Sequence, residues 1–171
     1  MAKLRKFVAY RSHNRPYTRK SKYRSKSYVR ASPHSKISRY RMGNLKDAFA
    51  HTIELIADEP IQIRDNALES ARLTTFRKLE THVGKNSFFF HLKAYPHHIL
   101  RENPLASGAG ADRMSTGMKK SFGKAIGVAA QLHKGQAIFT LGCNETHLEF
   151  CKKALKAAGT KLPCHCRVVI K

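Results

Sequence analysis

Apolar side chains are distributed along the chain at two very different densities. From Met1 to Lys46 the only aliphatic side chains larger than Ala are Leu4, Val8, Val29, Ile37 and Leu45, with Met1 and Met42. That is too sparse for either the helical or the strand period, and it predicts an extended segment. Past Gly43 the texture changes. Ala48 to Ala57 (AFAHTIELIA) alternates as a half-buried strand does, and Asp58, Glu59 and Pro60 end it. Asp65 or Asn66 is placed to cap a helix whose Leu68, Ala71, Thr75, Leu79 and Val83 share one face until Gly84 stops it. Ser87 to Ala94 (SFFFHLKA) reads as a strand, with His98 to Arg101 as its continuation or partner after Pro96. Residues 102 to 121 break the pattern with Pro104, Gly108, Gly110 and Gly117, and predict a long functional loop. Phe122 to Leu132 and Ala137 to Leu141 predict a strand pair turning through His133, Lys134, Gly135 and Gln136. A second helix is expected after Asn144, with Leu148, Cys151, Leu155 and Ala158 inward and Gly159 at its end, and Arg167 to Ile170 closes as a strand. The predicted fold class is α+β: two helices packed on a mostly antiparallel sheet, with an extended arm and a long loop.

Composition divides the chain at the same place. The first 46 residues hold fifteen Lys and Arg and no Asp or Glu, while the rest holds 18 basic against 11 acidic residues. The expected organisation is therefore an arm over 1–46 and a core over 47–171 carrying the loop 102–121. A formal charge of +22 and a pI near 10.3 speak of partners rather than of fold. The arm has too little apolar area to fold by burial, and its charge repels itself unless a polyanion lies alongside. Nucleic acid leads. No apolar run approaches a membrane span, and the arm lacks the apolar stripe of an interfacial helix. An organelle presequence shares the Arg- and Ser-rich, acid-poor composition, but does not need Pro16, Pro33 or regularly placed tyrosines. All four cysteines fall in the last thirty residues with no apolar signal segment ahead of the arm, so reduced thiols in a cytosolic setting are expected.

Five of the six tyrosines lie in the arm. Lys and Arg displace counterions while Tyr and Arg planes stack on exposed bases, so Arg11, Arg15, Tyr17, Arg19, Lys20, Tyr23, Arg24, Tyr28, Arg30, Lys36, Arg39 and Arg41 are candidate RNA contacts. The bland alternative is a solvated basic tail, but such tails are poor in aromatics. RNA is favoured over DNA because no helix-turn-helix, finger or zipper-linked basic region is present. The loop's GAGADR at 108–113 lacks the Gly-Lys-Ser/Thr of a phosphate loop and the third glycine of a dinucleotide fingerprint. Arg101, Arg113, Lys119, Lys120 and Lys124 surround it nonetheless, with Asp112 the only acid between Glu102 and Glu145. Asp112 as a magnesium ligand or catalytic carboxylate competes with a local ion pair, and metal nucleases cluster several carboxylates. His97 and His98, adjacent on a strand, point to opposite faces. Cys143, Cys151, Cys164 and Cys166 lack the paired C-x-x-C spacing of zinc modules and read as packing thiols.

Several stretches together resemble one family. They are Asn14-Arg15-Pro16-Tyr17, Pro33 with Lys36-Ile37 and Met42-Gly43, Glu69 to Arg72, Pro96 with His98 and Arg101, AGADRMSTGMKKSFGKAIG from Ala109 to Gly127, and His133 with Gly135-Gln136. They resemble the archaeal and eukaryotic ten-e family of large-subunit ribosomal proteins, universal name large-subunit protein sixteen. The resemblance implies an α/β-hammerhead core among large-subunit rRNA helices near the base of the central protuberance. It implies a role in supporting tRNA positioning after late assembly into the subunit, with no chemistry of its own. Arg101, Lys124 and His133 then join the rRNA contacts. The loop residues Ala109, Gly110, Ala111, Asp112, Arg113, Thr116, Gly117, Met118, Lys119 and Lys120 would approach the peptidyl transferase centre and the tRNA acceptor arms. The implied partners are large-subunit rRNA, tRNA, neighbouring ribosomal proteins and assembly factors, in the cytoplasm. No cofactor is called for beyond magnesium held by the RNA.

Departures from the pattern are a longer, more basic stretch between Tyr17 and Pro33, Cys164-His165-Cys166 in place of a Gly and basic residues, and an end at Lys171 without the eukaryotic extension. Archaeal origin fits these best. The competing classes are a small RNA-processing enzyme using Asp112, His98 or His133, and a zinc-stabilised nucleic-acid module.

Overall fold

The computed structural model describes residues 6–11, 23, 25, 33–103, 105, 115 and 117–171. Among them the strands are β1 (Arg41–Gly43), β2 (His51–Ala57), β3 (Ile61–Arg64), β4 (Phe88–Leu92), β5 (His98–Glu102), β6 (Lys124–Leu132), β7 (Ala137–Cys143) and β8 (Cys166–Ile170). The helices are α1 (Asp65–His82) and α2 (Leu148–Gly159). The architecture is α+β as expected, but the strands form two antiparallel sheets rather than one. A five-stranded sheet has the order β1-β4-β7-β2-β8, and a three-stranded sheet the order β3-β6-β5. No helix of the described residues is long and apolar enough to cross a membrane.

Three local expectations are corrected by this division. β6 and β7 are both strands, yet they do not pair: β6 lies between β3 and β5, while β7 lies between β4 and β2. The linking turn is real, with Gln136 N–H donating to the His133 carbonyl and Gly135 at φ +83, but it carries the chain from one sheet to the other. β5 is likewise neither a continuation nor a partner of β4, since its partner is β6. Ile61–Arg64, which the pattern did not single out, is a third strand against β6. Its four residues are too short a run to carry a period.

The core lies where α1 and α2 cover one face of the larger sheet. Strand alternation sends Phe88, Phe90, Leu92, Ile53, Leu55, Phe139 and Leu141 into it, and Phe90 stacks on Phe139 at 5.2 Å between ring centroids. α1 meets it with Leu68, Ala71, Thr75 and Leu79, and α2 with Cys151, Ala154, Leu155 and Ala158. These are largely the faces that the three-and-four spacing predicts. Gly84, at φ +90, ends α1 as expected. The caps differ. Arg64 is the N-cap of α1 and Asp65 is the first helical residue, with its Oδ1 accepting from the Asn66 N–H and its Oδ2 from the Lys36 N–H. Asn144 precedes a 3-10 turn, Glu145–His147, instead of capping α2 directly.

The last part of the basic N-terminal stretch is folded with the core. Arg41–Gly43 pairs with β4, and Ile37 and Met42 are buried. Gly43 makes this edge pairing feasible: at φ +81 its backbone passes so close to the Phe88 carbonyl that a Cβ would collide with it. Further upstream, Phe7–Tyr10 forms a 3-10 turn, tied down where the Gln62 amide donates to the Tyr10 carbonyl at 2.8 Å.

Candidate nucleic-acid interface

The charge available for binding an anion is set by which cations are already engaged within the protein. Glu54, Asp58, Glu59, Glu69, Glu80 and Glu149 each lie within 3.5 Å of a Lys or Arg nitrogen. Among the described residues these six acids are thus engaged locally, while Lys36, Arg39, Arg41 and Lys124 stand exposed. Among the described cations Arg72 is the exception. It is buried at 5 % exposure, and its Nε and Nη2 hold Glu69 at 2.8 and 2.6 Å while Nη2 also donates to Ser38. The Arg72 hydrogen bonds hold the Glu69 carboxyl below its ordinary range. This pair fastens the arm's end to α1 rather than reaching outward.

Of the arm's candidate contacts, Arg15, Tyr17, Arg19, Lys20, Arg24, Tyr28 and Arg30 lie outside the described residues. Tyr23 is exposed. Arg11 is exposed and within 3.5 Å of Glu59. Lys36, Arg39 and Arg41 are exposed, with Arg41 opposite His91 on β4. Pairing of β1 with β4 sets Arg41 opposite His91, whose basicity is depressed first by burial and then by the charges of Arg41 and Lys93.

The loop is described at its two feet. Arg101 donates through Nη1 to the Phe122 carbonyl at 2.8 Å, and its guanidinium lies 3.7 Å from the Phe122 ring centroid. Asn103 reaches across the loop from its Nδ2 to the Gly117 carbonyl at 3.3 Å. Gly123, at φ +87, passes against the backbone of Glu102 closely enough that a Cβ would sit 3.0 Å from it. Lys124 is exposed opposite Glu102 in the β5–β6 register. Within 102–121, expected to be without regular structure, Gly117–Lys120 is a 3-10 turn with Met118 and Lys119 exposed. Ala109, Gly110, Ala111, Asp112, Arg113 and Thr116 fall outside the described residues. A pocket of about 170 Å³ beside the feet is lined by Ala9, Tyr10, Arg101, Glu102 and Asn103, so the N-terminal 3-10 turn meets the base of the loop. His133 is exposed in the turn after β6, its N–H donating to Gln136 Oε1.

The other candidates are not assembled for chemistry. His98 is buried on β5, whereas His97 is exposed with its ring 4.4 Å from Tyr95. The cysteines separate into two pairs. Cys143 and Cys151 are buried side by side, the hydrogen bond between them lowering the first thiol's pKa and raising the second's. Cys164 and Cys166 stand with sulfurs 3.4 Å apart at the start of β8. Among the described residues no three His, Cys, Asp or Glu side chains are grouped to hold a metal ion. One aromatic feature escaped the sequence reading: Tyr95, half exposed, stacks on Tyr40 at 5.2 Å and abuts His97. The signal available for it was two aromatic rings, Tyr95 and His97, flanking Pro96 between two strands.

Comparison with known proteins is consistent with this surface. The family described as ribosomal protein L16p/L10e matches residues 13–169. A protein named large ribosomal subunit protein uL16 from Methanococcus maripaludis is 44% identical over 168 residues, covering 98% of this chain and 94% of that protein. Proteins of the same name from Methanosphaerula palustris and Methanocella arvoryzae are 46% identical over 151 residues and 43% identical over 148 residues. They cover 88% and 86% of this chain, and 87% and 86% of the respective relatives.

Proposed function

The chain belongs to the ribosomal protein L16p/L10e family, and we propose on that footing how it serves the ribosome. It is a structural constituent of the large subunit, held among rRNA and neighbouring ribosomal proteins in the cytoplasm, and it is not an enzyme. The observation that carries this is the match over residues 13–169 to proteins named as large-subunit constituents. Charge supports the rRNA contact: fifteen cations without an acid in the first 46 residues call for a phosphate partner. Arg15, Arg19, Arg24 and Arg30 with Tyr17, Tyr23 and Tyr28 lie along rRNA as the arm orders on it. Exposed Arg39, Arg41 and Lys124 extend the contact over the core. Assembly factors shield so basic a chain before it enters the subunit.

The loop is the part that reaches function. Ala109 to Arg113 and Thr116 to Lys120 approach the peptidyl transferase centre and the acceptor arms of tRNA. Small residues let the backbone pass near the RNA, and Arg113, Lys119 and Lys120 meet its phosphates. The feet at Asn103 and Gly117 support this reading, since they fix where the loop leaves the core. Binding of the full chain to a large-subunit rRNA transcript tests the whole. With about 8 to 12 phosphates contacted, the log-log salt slope is expected at roughly −6 to −11. A slope shallower than −3, or a chain that fails to travel with large subunits on a sucrose gradient, would overturn the proposal. Arg113→Glu, which sets a negative charge against phosphate, is expected to slow peptide synthesis by reconstituted subunits, whereas Arg5→Ala among many redundant cations is expected to be silent.

A further inference from the structure

The two helices cover only one face of the five-stranded sheet. Strand register lays a single row across the other face: Arg41 on β1 opposite His91 on β4, His91 opposite Thr140 on β7, Thr140 opposite Glu54 on β2, and Glu54 opposite Val169 on β8. In the next row Phe89 stands opposite Gly142, over which the Phe49 ring lies. No described helix covers these residues. Phe89, His91 and Phe49 are half-buried, and the rings of Phe89 and His91 are 6.0 Å apart. Charge on the face is lopsided. Its one carboxylate in the row, Glu54, is already held by Lys93 Nζ at 3.0 Å and Lys171 Nζ at 2.8 Å, while Arg41 stands exposed at the opposite edge. Thr140 is buried to 7 % exposure between His91 and Glu54, and its hydroxyl has no partner. A buried hydroxyl left unpaired is destabilising, and such a group calls for an explanation.

We infer that this open face is an RNA-docking surface, on which an unpaired stretch of strand sets bases against Phe89 and His91 and phosphates against Arg41, Lys93 and Lys171. The inference rests on the rRNA-binding reading above and gives it a definite site. Flat rings beside cations are what unpaired nucleotides require, because stacking accepts any base and cations take the backbone. A protein partner of ordinary composition would have to leave the surplus cations unpaired or bring acids to match them. Lys93, with its ammonium at the surface, exchanges Glu54 for a phosphate while Lys171 stays paired with the ionised Glu54. That movement opens Thr140 to a phosphate or a 2′-hydroxyl.

The test uses the full chain and a large-subunit rRNA transcript. Phe89→Ala combined with His91→Ala is expected to weaken binding about tenfold with little change of salt slope, because stacking is lost and charge is kept. Arg41→Gln is expected to make the slope shallower by about 1. Lys153→Gln, on the exposed side of α2, serves as the control and is expected to change the slope by less. Independently of any variant's folding, rRNA is expected to protect His91 of the unaltered chain from carbethoxylation by diethyl pyrocarbonate. Variants that bind within twofold of the parent, with His91 equally reactive in the complex, would overturn the inference and give the face to a protein neighbour or to solvent. If the unaltered chain does not bind the transcript, it is the broader rRNA reading that falls, a result distinct from the first.

Discussion

Arg72 shows how packing, and not charge alone, decides where a basic side chain is used. It sits on the inner face of α1 within a pattern of Leu68, Ala71, Thr75 and Leu79, and it is buried because Glu69, Ser38 and the Met42 sulfur surround its guanidinium. Removing one partner of a buried pair strands the other, so Glu69→Gln is expected to cost about 3 kcal/mol in urea unfolding. The sign of the pH effect follows from the depressed carboxyl. Its folded pKa is below the ordinary 4.5, so the stabilisation is present above that value and is lost as pH falls through the folded pKa. Acid titration of stability should therefore show a loss below pH 4.5 that is smaller in Glu69→Gln. At Gly43 the constraint is steric. Gly43→Ala must hold φ +81 and displace the Phe88 carbonyl, so a loss of at least about 2 kcal/mol is expected, with faster amide exchange along β1. Sequence alone does not give the reason for either constraint, because Ser38 and Met42 beside Arg72, and Phe88 beside Gly43, lie at least 30 residues away in the chain.

The elements themselves were largely legible. SFFFHLKA is a strand because alternation puts Phe88, Phe90 and Leu92 inward, and both helices show the inner faces that their spacing predicts. What alternation does not carry is pairing. The β6–β7 turn looks like a hairpin, yet the two strands part into different sheets, and β5 leaves β4 for β6. The loop links β5 to β6, which pair in that second sheet, and its feet are joined by Asn103 and Gly117. Deleting residues 104–116 and closing the gap with a short Gly-Ser link should then leave the unfolding midpoint close to the parent's. Subunits carrying the deletion should assemble and yet make peptide slowly. Failure of the shortened chain to enter subunits would make the loop an assembly element instead.

For the whole molecule, the division of charge between arm and core governs binding more than any one contact. Removing residues 1–32 deletes eleven Lys and Arg, and is expected to make the rRNA salt slope shallower by at least about 4 while the core still unfolds cooperatively. An unchanged slope would move the rRNA contact onto the core alone. The sequence by itself determined the class of partner, the α+β class, the helix faces and the family resemblance, since net charge, periodicity and contiguous motifs are properties of local order along the chain. The tertiary structure decided which strands share a sheet, that the arm's end at Ile37 to Gly43 folds into the core, that Arg72 turns inward while Arg41 turns out, and that one sheet face stays open. Those outcomes depend on contacts between residues far apart in sequence, and chain closure over such distances is set by how whole faces bury one another.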